Sequence, residues 1–181
     1  ANLISTGLSL SEAKTAVSNT AKLAERCNVE LPKAKPLRFS TTGGRTAEQE
    51  LKRNLVKGWN HRVSQRKDLL ERKDEYFQRM KEELSVIVPK DFCDYFLATA
   101  DLCKYAKSQN VTVGPGRGSA AGSLVCYMLG ITEIDPLHPT FKRMIFERFI
   151  DPNREDNPDI DLDFDDELRY KVAERARHTY G

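Results

Sequence analysis

Asp159, Asp161 and Asp163 stand at alternate positions in the run NPDIDLDFDDE, residues 157–167, with Ile160, Leu162 and Phe164 between or beside them. In an extended chain, side chains at i, i+2 and i+4 share one face. The carboxylates would therefore line one side and the apolar residues pack on the other. Three adjacent carboxylates repel one another, and strands disfavour aspartate, so the pattern costs stability unless a cation joins it. Hard oxygen ligands suit Mg²⁺, which commonly takes one or two carboxylates together with substrate phosphates. Two such ions about 4 Å apart activate an attacking oxygen and stabilise a leaving one. An EF-hand loop is excluded, because its sixth and twelfth positions would be Phe164 and Tyr170 rather than Gly and Glu. An edge strand kept soluble by charge is the competing reading.

A second candidate is GPGRGSAAGS, residues 114–123, between a short strand-like VTVG and a compact helical AAGSLVCYMLG. Gly114, Gly116 and Gly118 leave backbone N–H groups free to face an anion. Arg117 adds fixed charge and Ser119 a hydroxyl, which together make a phosphate cradle. No G-K-[ST] follows, so this is not a Walker A loop. GRGSAA also fits a loose dinucleotide pattern, but the acid that pattern needs would have to be Glu133 or Asp135, in a loop before Pro136. A tight turn with small residues for close packing is the alternative. Taken together, a phosphate cradle and a carboxylate run about 40 residues apart point to phosphoryl transfer on a nucleotide.

The elements that must position these residues read as mostly helical. Ser9 and Glu12 have capping-box spacing for a helix over 9–27, with Ala13, Val17, Ala21 and Ala24 as a small-residue face. Prolines and glycines make 29–44 a connector. Thr46 and Gln49 repeat the capping box before a long helix whose stripe is Leu51, Leu55, Trp59 and Val63. Helical character extends to about Glu83 with a break somewhere along it, Gly58 being one weak point. Asp91 is placed to cap a helix over 92–108, burying Phe92, Tyr95, Phe96, Thr99, Leu102, Cys103 and Ala106. ITEIDPLHP reads as a loop and MIFERFI as a strand or short helix. The acidic run reads as a strand over 159–164, before a closing helix over about 167–180.

Composition narrows the class. The 181 residues are 39% hydrophobic and 31% charged, with a net charge of +2. Charge is segregated: eight Lys or Arg against two acids between Lys52 and Lys73, and nine acids against Arg154 between Asp151 and Glu167. That suits a phosphate-binding surface beside a metal site, or two solvated faces. Four widely spaced cysteines contain no C-x-x-C, so neither a zinc ribbon nor a redox motif is supported. Three fall in apolar patterns and read as core residues in a reducing cytosol. No apolar run reaches membrane-spanning length, and no signal peptide is visible. The first residue is Ala, as in a fragment or processed chain.

YFLATADLCKYAKSQNVTVGPGRGSAAGSLVCYMLGITEIDPL and FERFIDPNREDNPDIDLDF closely resemble the bacterial C-family replicative DNA polymerases, the DNA polymerase III alpha subunits. The likeness covers roughly residues 45–181 and continues through ERARHTYG. NTAKLAERCNVELPKAKPLRF is similar to the segment leaving that family's amino-terminal PHP domain.

The resemblance implies an α+β fold, a helix-rich fragment with part of a nucleotidyltransferase (polymerase beta-like) palm sheet. It implies two regions, 1–44 connecting the PHP domain to the palm and 45–181 the first part of the palm. Asp159 and Asp161 match the family's first two catalytic, metal-holding carboxylates in P-D-x-D-x-D-F. Asp163 matches a third acid not usually counted as a ligand. Arg117, Gly118, Ser119 and Arg148 match residues that receive the incoming dNTP triphosphate. The implied reaction is template-directed addition of dNTP to a primer 3′-hydroxyl with two Mg²⁺ ions. The implied partners are primer-template DNA and, in the complete protein, the sliding clamp and other replisome subunits, in a bacterial or phage-infected cytoplasm with no membrane. Asn157 departs from the family's usual Met. The resemblance also implies that the third catalytic aspartate lies beyond Gly181, so the isolated chain is expected to be inactive. A non-catalytic nucleotide- or DNA-binding fragment is the alternative, distinguished by whether nucleotide binding needs a divalent metal.

Overall fold

Ser9 and Thr46 each open a helix as their spacing predicts. In the structure, a computed structural model that describes residues 7–30, 36–141, 144–154 and 157–181, both close a capping box. The Ser9 hydroxyl accepts from Glu12 N while Ser9 N donates to the Glu12 carboxylate, and Thr46 and Gln49 exchange the same pair. Each box satisfies two N–H groups that a helix start otherwise leaves open.

The chain divides into two compact units, Ala1–Pro36 and Leu37–Gly181. The first holds helix α1, Leu10–Glu25, on which Ala13 is buried while Val17, Ala21 and Ala24 are exposed. The second contains α2 (Ala47–Arg62), a single turn α3 (Lys67–Leu70), α4 (Lys73–Ile87), α5 (Cys93–Ser108), the very short α6 (Leu124–Met128) and α7 (Arg169–Tyr180). Two 3₁₀ turns, Ser119–Gly122 and Phe146–Arg148, interrupt the connections.

Helix α6 is the centre of the second unit. All five of its residues are buried, with α2 and α4 packed against it. A helix of five residues has no independent stability, so this one exists because its neighbours enclose it. The stripe expected on α2 is present: Leu51, Leu55 and Val63 are buried and Trp59 half-buried. On α5, Phe96, Thr99, Cys103 and Ala106 are buried, and Phe92, Tyr95 and Leu102 half-buried. Burying one such large apolar side chain contributes about 1.5–3 kcal/mol. Helix α7 docks on α5, where Tyr180 and Arg175 both donate to Asp101, at 2.9 and 3.3 Å. Cys93, Cys103 and Cys126 are buried free thiols and Cys27 is an exposed one.

Three expectations are corrected. The expected break in the helical path falls after Arg62 and not at Gly58, which lies inside α2 where that helix crosses α6. Asp91 does not cap α5. It takes a left-handed backbone, φ 58°, and pairs with Arg38 at 3.0 Å, while α5 starts at Cys93 with no side-chain cap.

The third correction concerns fold class. The anticipated α+β architecture with part of a palm sheet is absent among the described residues. Their only β-pairing is one isolated antiparallel bridge, Val113 to Phe164, closed by Gly114 N to Asp163 O at 2.9 Å and Asp165 N to Thr112 O at 3.1 Å. The acidic run builds no ladder beyond that bridge, and its apolar residues enter the helical core. Ile160 and Leu162 join the main cluster, and the Ile160 N–H donates to the Tyr95 hydroxyl at 3.2 Å instead of to a neighbouring strand.

Candidate functional site

The bridge at Val113 and Phe164 determines what the rest of both motifs can do. Val111 is buried with Ala106 and Val172, and Phe164 packs against that same small cluster. The glycine-rich turn therefore leaves the α5–α7 side of the core at the point where the acidic run arrives. The alternation read from sequence holds: Ile160 is buried and Leu162 and Phe164 half-buried, whereas Asp159 and Asp163 are exposed and Asp161 half-exposed.

The two motifs touch. The Arg117 guanidinium lies between two carboxylates, Nη2 3.4 Å from Asp161 Oδ1 and Nε 3.4 Å from Asp163 Oδ1. Gly118 has φ +64°, and an added Cβ would come within 3.1 Å of Asp161 Oδ2. Glycine is what permits both this left-handed turn and so close an approach. All three charged side chains are well exposed, at 60, 42 and 55%, so the pairing is open to exchange with other ions.

Asp159 opens elsewhere. It lines a cavity of about 500 Å³ together with Ser119, Arg148, Asp151 and Arg154. Three of the residues singled out from the sequence, Ser119, Arg148 and Asp159, thus share one concavity, while Arg117, Asp161 and Asp163 form the adjoining ion-paired group. Arg148 has no ion-pair partner among the described residues. Behind the acidic run, burial pushes the Tyr95 phenol up; its bond from Ile160 N opposes this, and the nearby Asp159 and Asp161 charges add to it.

Glu133 and Asp135, the two acids considered for a dinucleotide-type ribose contact, are otherwise engaged. Asp135 accepts from the buried Tyr76 hydroxyl and from Leu137 N. Glu133 pairs with Lys107 at 2.6 Å and Arg62 at 2.8 Å.

Sequence reasoning missed the support beneath the glycine-rich turn. Glu83 on α4 is fully buried and holds the start of α6. Its Oε1 accepts from Leu124 N and from Arg79 Nε, both at 2.8 Å; its Oε2 accepts from Ser123 Oγ at 2.8 Å and Val125 N at 3.0 Å. Burial pushes the Glu83 carboxyl up, and these four donors oppose that. The signal was present: Tyr76, Met80, Glu83 and Ile87 form one buried stripe of α4, and a glutamate on such a stripe needs partners.

Fold and site define a helical domain that seats an arginine-bearing glycine turn against exposed carboxylates. Residues 49–181 match the family described as the bacterial DNA polymerase III alpha NTPase domain. The chain is 44% identical over 168 residues to the DNA polymerase III subunit alpha of Halalkalibacterium halodurans, covering 92% of this chain and 14% of that protein. It is 43% identical over 162 residues to the subunit of the same name from Staphylococcus aureus strain MRSA252, covering 88% and 14%. This chain belongs to the bacterial DNA polymerase III alpha family, and it spans about 14% of the length of these relatives. No described helix is long and apolar enough to cross a membrane.

Proposed function

We propose that this chain forms part of the nucleotide-addition site of a DNA-directed DNA polymerase, which joins dNTP to a primer 3′-hydroxyl under template direction. The observation that carries the reading is the seating of Arg117 between Asp161 and Asp163, 3.4 Å from each. An exposed guanidinium beside exposed carboxylates can be exchanged. An arriving triphosphate would draw Arg117 to its oxygens and free the carboxylates, of which Asp161, with Asp159, would hold divalent cations. Arg117 and Arg148 supply charge-assisted donors, while the Gly118 backbone and the Ser119 hydroxyl complete the cradle.

Asp159 and Asp161 act as the catalytic carboxylates. No three His, Cys, Asp or Glu side chains converge on a metal-holding point among the described residues. Two carboxylates completed by substrate phosphates are nevertheless a donor set that Mg²⁺ accepts, so the residues fit the ion. When bound, two Mg²⁺ ions would activate the primer hydroxyl and offset charge on the leaving pyrophosphate. Residues 1–44 serve as the segment leading from a PHP domain, and 45–181 as the first part of the catalytic domain. The partners of the whole protein are primer-template DNA, dNTP, the sliding clamp and other replisome subunits, in a bacterial or phage-infected cytoplasm.

The test is Arg117→Ala in the full-length subunit. Charge-assisted phosphate contacts are worth roughly 1.5–3 kcal/mol, so efficiency with dNTP should fall about tenfold to a hundredfold at fixed primer-template. Unchanged nucleotide kinetics with weakened DNA binding would move Arg117 to the DNA side and overturn the assignment.

A further inference from the structure

Arg79 does more than neutralise Glu83. Its Nη2 donates to the carbonyl of Gly122 at 2.8 Å and to that of Met144 at 3.1 Å. Gly122 ends the 3₁₀ turn that begins at Ser119, and Met144 lies just before the 3₁₀ turn that carries Arg148. One largely buried guanidinium, its side chain 14% exposed, therefore ties together the two segments that bear the phosphate-facing residues. Glu83, on the adjacent turn of the same helix, holds the first two N–H groups of α6 directly behind Ser123.

We propose that the Arg79–Glu83 pair is a positioning element for the nucleotide triphosphate, setting the distance between the Arg117–Ser119 turn and Arg148. The inference rests on the nucleotide reading above. Turns of three or four residues do not hold their own geometry, so their relative placement must come from outside. An apolar pair could fill the space but would leave the Leu124 and Val125 N–H groups and the Gly122 and Met144 carbonyls without these partners. What a planar guanidinium adds is several donors in one rigid fork, here directed at a carboxylate and at two carbonyls from separate segments. Arg79 and Glu83 line up behind the cradle and touch no reacting atom.

The experiment uses the full-length subunit with Arg79→Lys, which keeps a positive charge beside Glu83 but offers one nitrogen where Arg79 uses Nε for the carboxylate and Nη2 for the two carbonyls. The expected result is a rise in KM for dNTP of about tenfold, and towards a hundredfold if the cradle shifts by about 1 Å. KM for primer-template DNA should stay within about twofold. A merely structural role would lower the active fraction, so kcat would fall and both KM values would stay put. If Arg79→Lys fails to fold by melting curve, Ser123→Ala replaces it, since it removes a donor to Glu83 without disturbing the charge pair; a smaller rise in dNTP KM, about threefold to tenfold, is expected. The positioning role is overturned alone if Arg117→Ala raises dNTP KM while the folded Arg79→Lys or Ser123→Ala does not. If Arg117→Ala also leaves dNTP KM unchanged, the nucleotide reading itself falls, and this inference with it.

Discussion

A Cβ placed on Gly58 would lie 2.0 Å from the carbonyl oxygen of Met128. The backbones of α2 and α6 meet at this point, and the contact lets the buried helix behind the glycine-rich turn sit flush against α2.

Gly58→Ala distinguishes two opposed effects. Helix propensity alone would stabilise α2 by about 1 kcal/mol. The close crossing makes the methyl an overpacking error, costing about 1–3 kcal/mol or more. The second effect should win, because the atom encountered is backbone and cannot rotate away. Denaturant unfolding of the chain measures the sign; a more stable variant would show that the two helices are not in contact at Gly58.

The three aspartates should respond differently in the full-length subunit. Asp159→Asn and Asp161→Asn each keep size and one carbonyl oxygen but remove charge, so nucleotide addition should be lost while the fold survives. Asp163→Asn should retain measurable activity. The assay is single-turnover incorporation beside a melting curve with and without Mg²⁺. A dead Asp163 variant beside an active Asp159 variant would shift the catalytic pair along the run.

Glu133 links α2 to α5 through Arg62 and Lys107. Partial burial pushes its carboxyl up, but the Lys107 ammonium and the Arg62 guanidinium outweigh this and hold it below its ordinary value of 4.5. A carboxyl lowered on folding adds stability above its unfolded value, and that contribution disappears as pH falls through the folded value. Glu133→Gln should therefore cost stability at pH 7, by less than about 1 kcal/mol because the group is nearly half exposed. The difference from wild type should shrink steadily as pH falls below 4.5. Paired melting curves from pH 7 to pH 3 report it; a gap that stays constant across that range would remove the linkage.

The cysteines should separate by burial. Cys27 is exposed, while burial pushes the thiols of Cys93 and Cys103 up to about 11 and that of Cys126 still higher. Since the thiolate is the reactive form, brief alkylation near pH 8 should label Cys27 alone, and denaturant should expose all four. Intact-mass measurement counts the adducts. Rapid native labelling at Cys126 would contradict the enclosed α6.

Short-range features were legible in the residues themselves. Ser9 with Glu12 and Thr46 with Gln49 predict helix starts because capping needs only partners three residues apart. The stripe at Leu51, Leu55 and Val63, and the alternation around Ile160 and Leu162, follow from the periods of helix and extended chain. The two chemical motifs, and the family they resemble, were also readable, since each is a contiguous run. Tertiary structure alone decided the rest. It turned Gly58 from a weak point into a crossing and gave Asp91 to Arg38. It left the acidic run with one bridge instead of a sheet among the described residues, and packed Ile160 and Leu162 with the helical core. It also brought Arg117 to Asp161 and placed Arg79 and Glu83 behind the turn. Those pairings join residues about 40 or more apart in sequence, and only the packing of whole helices determines which distant charges meet.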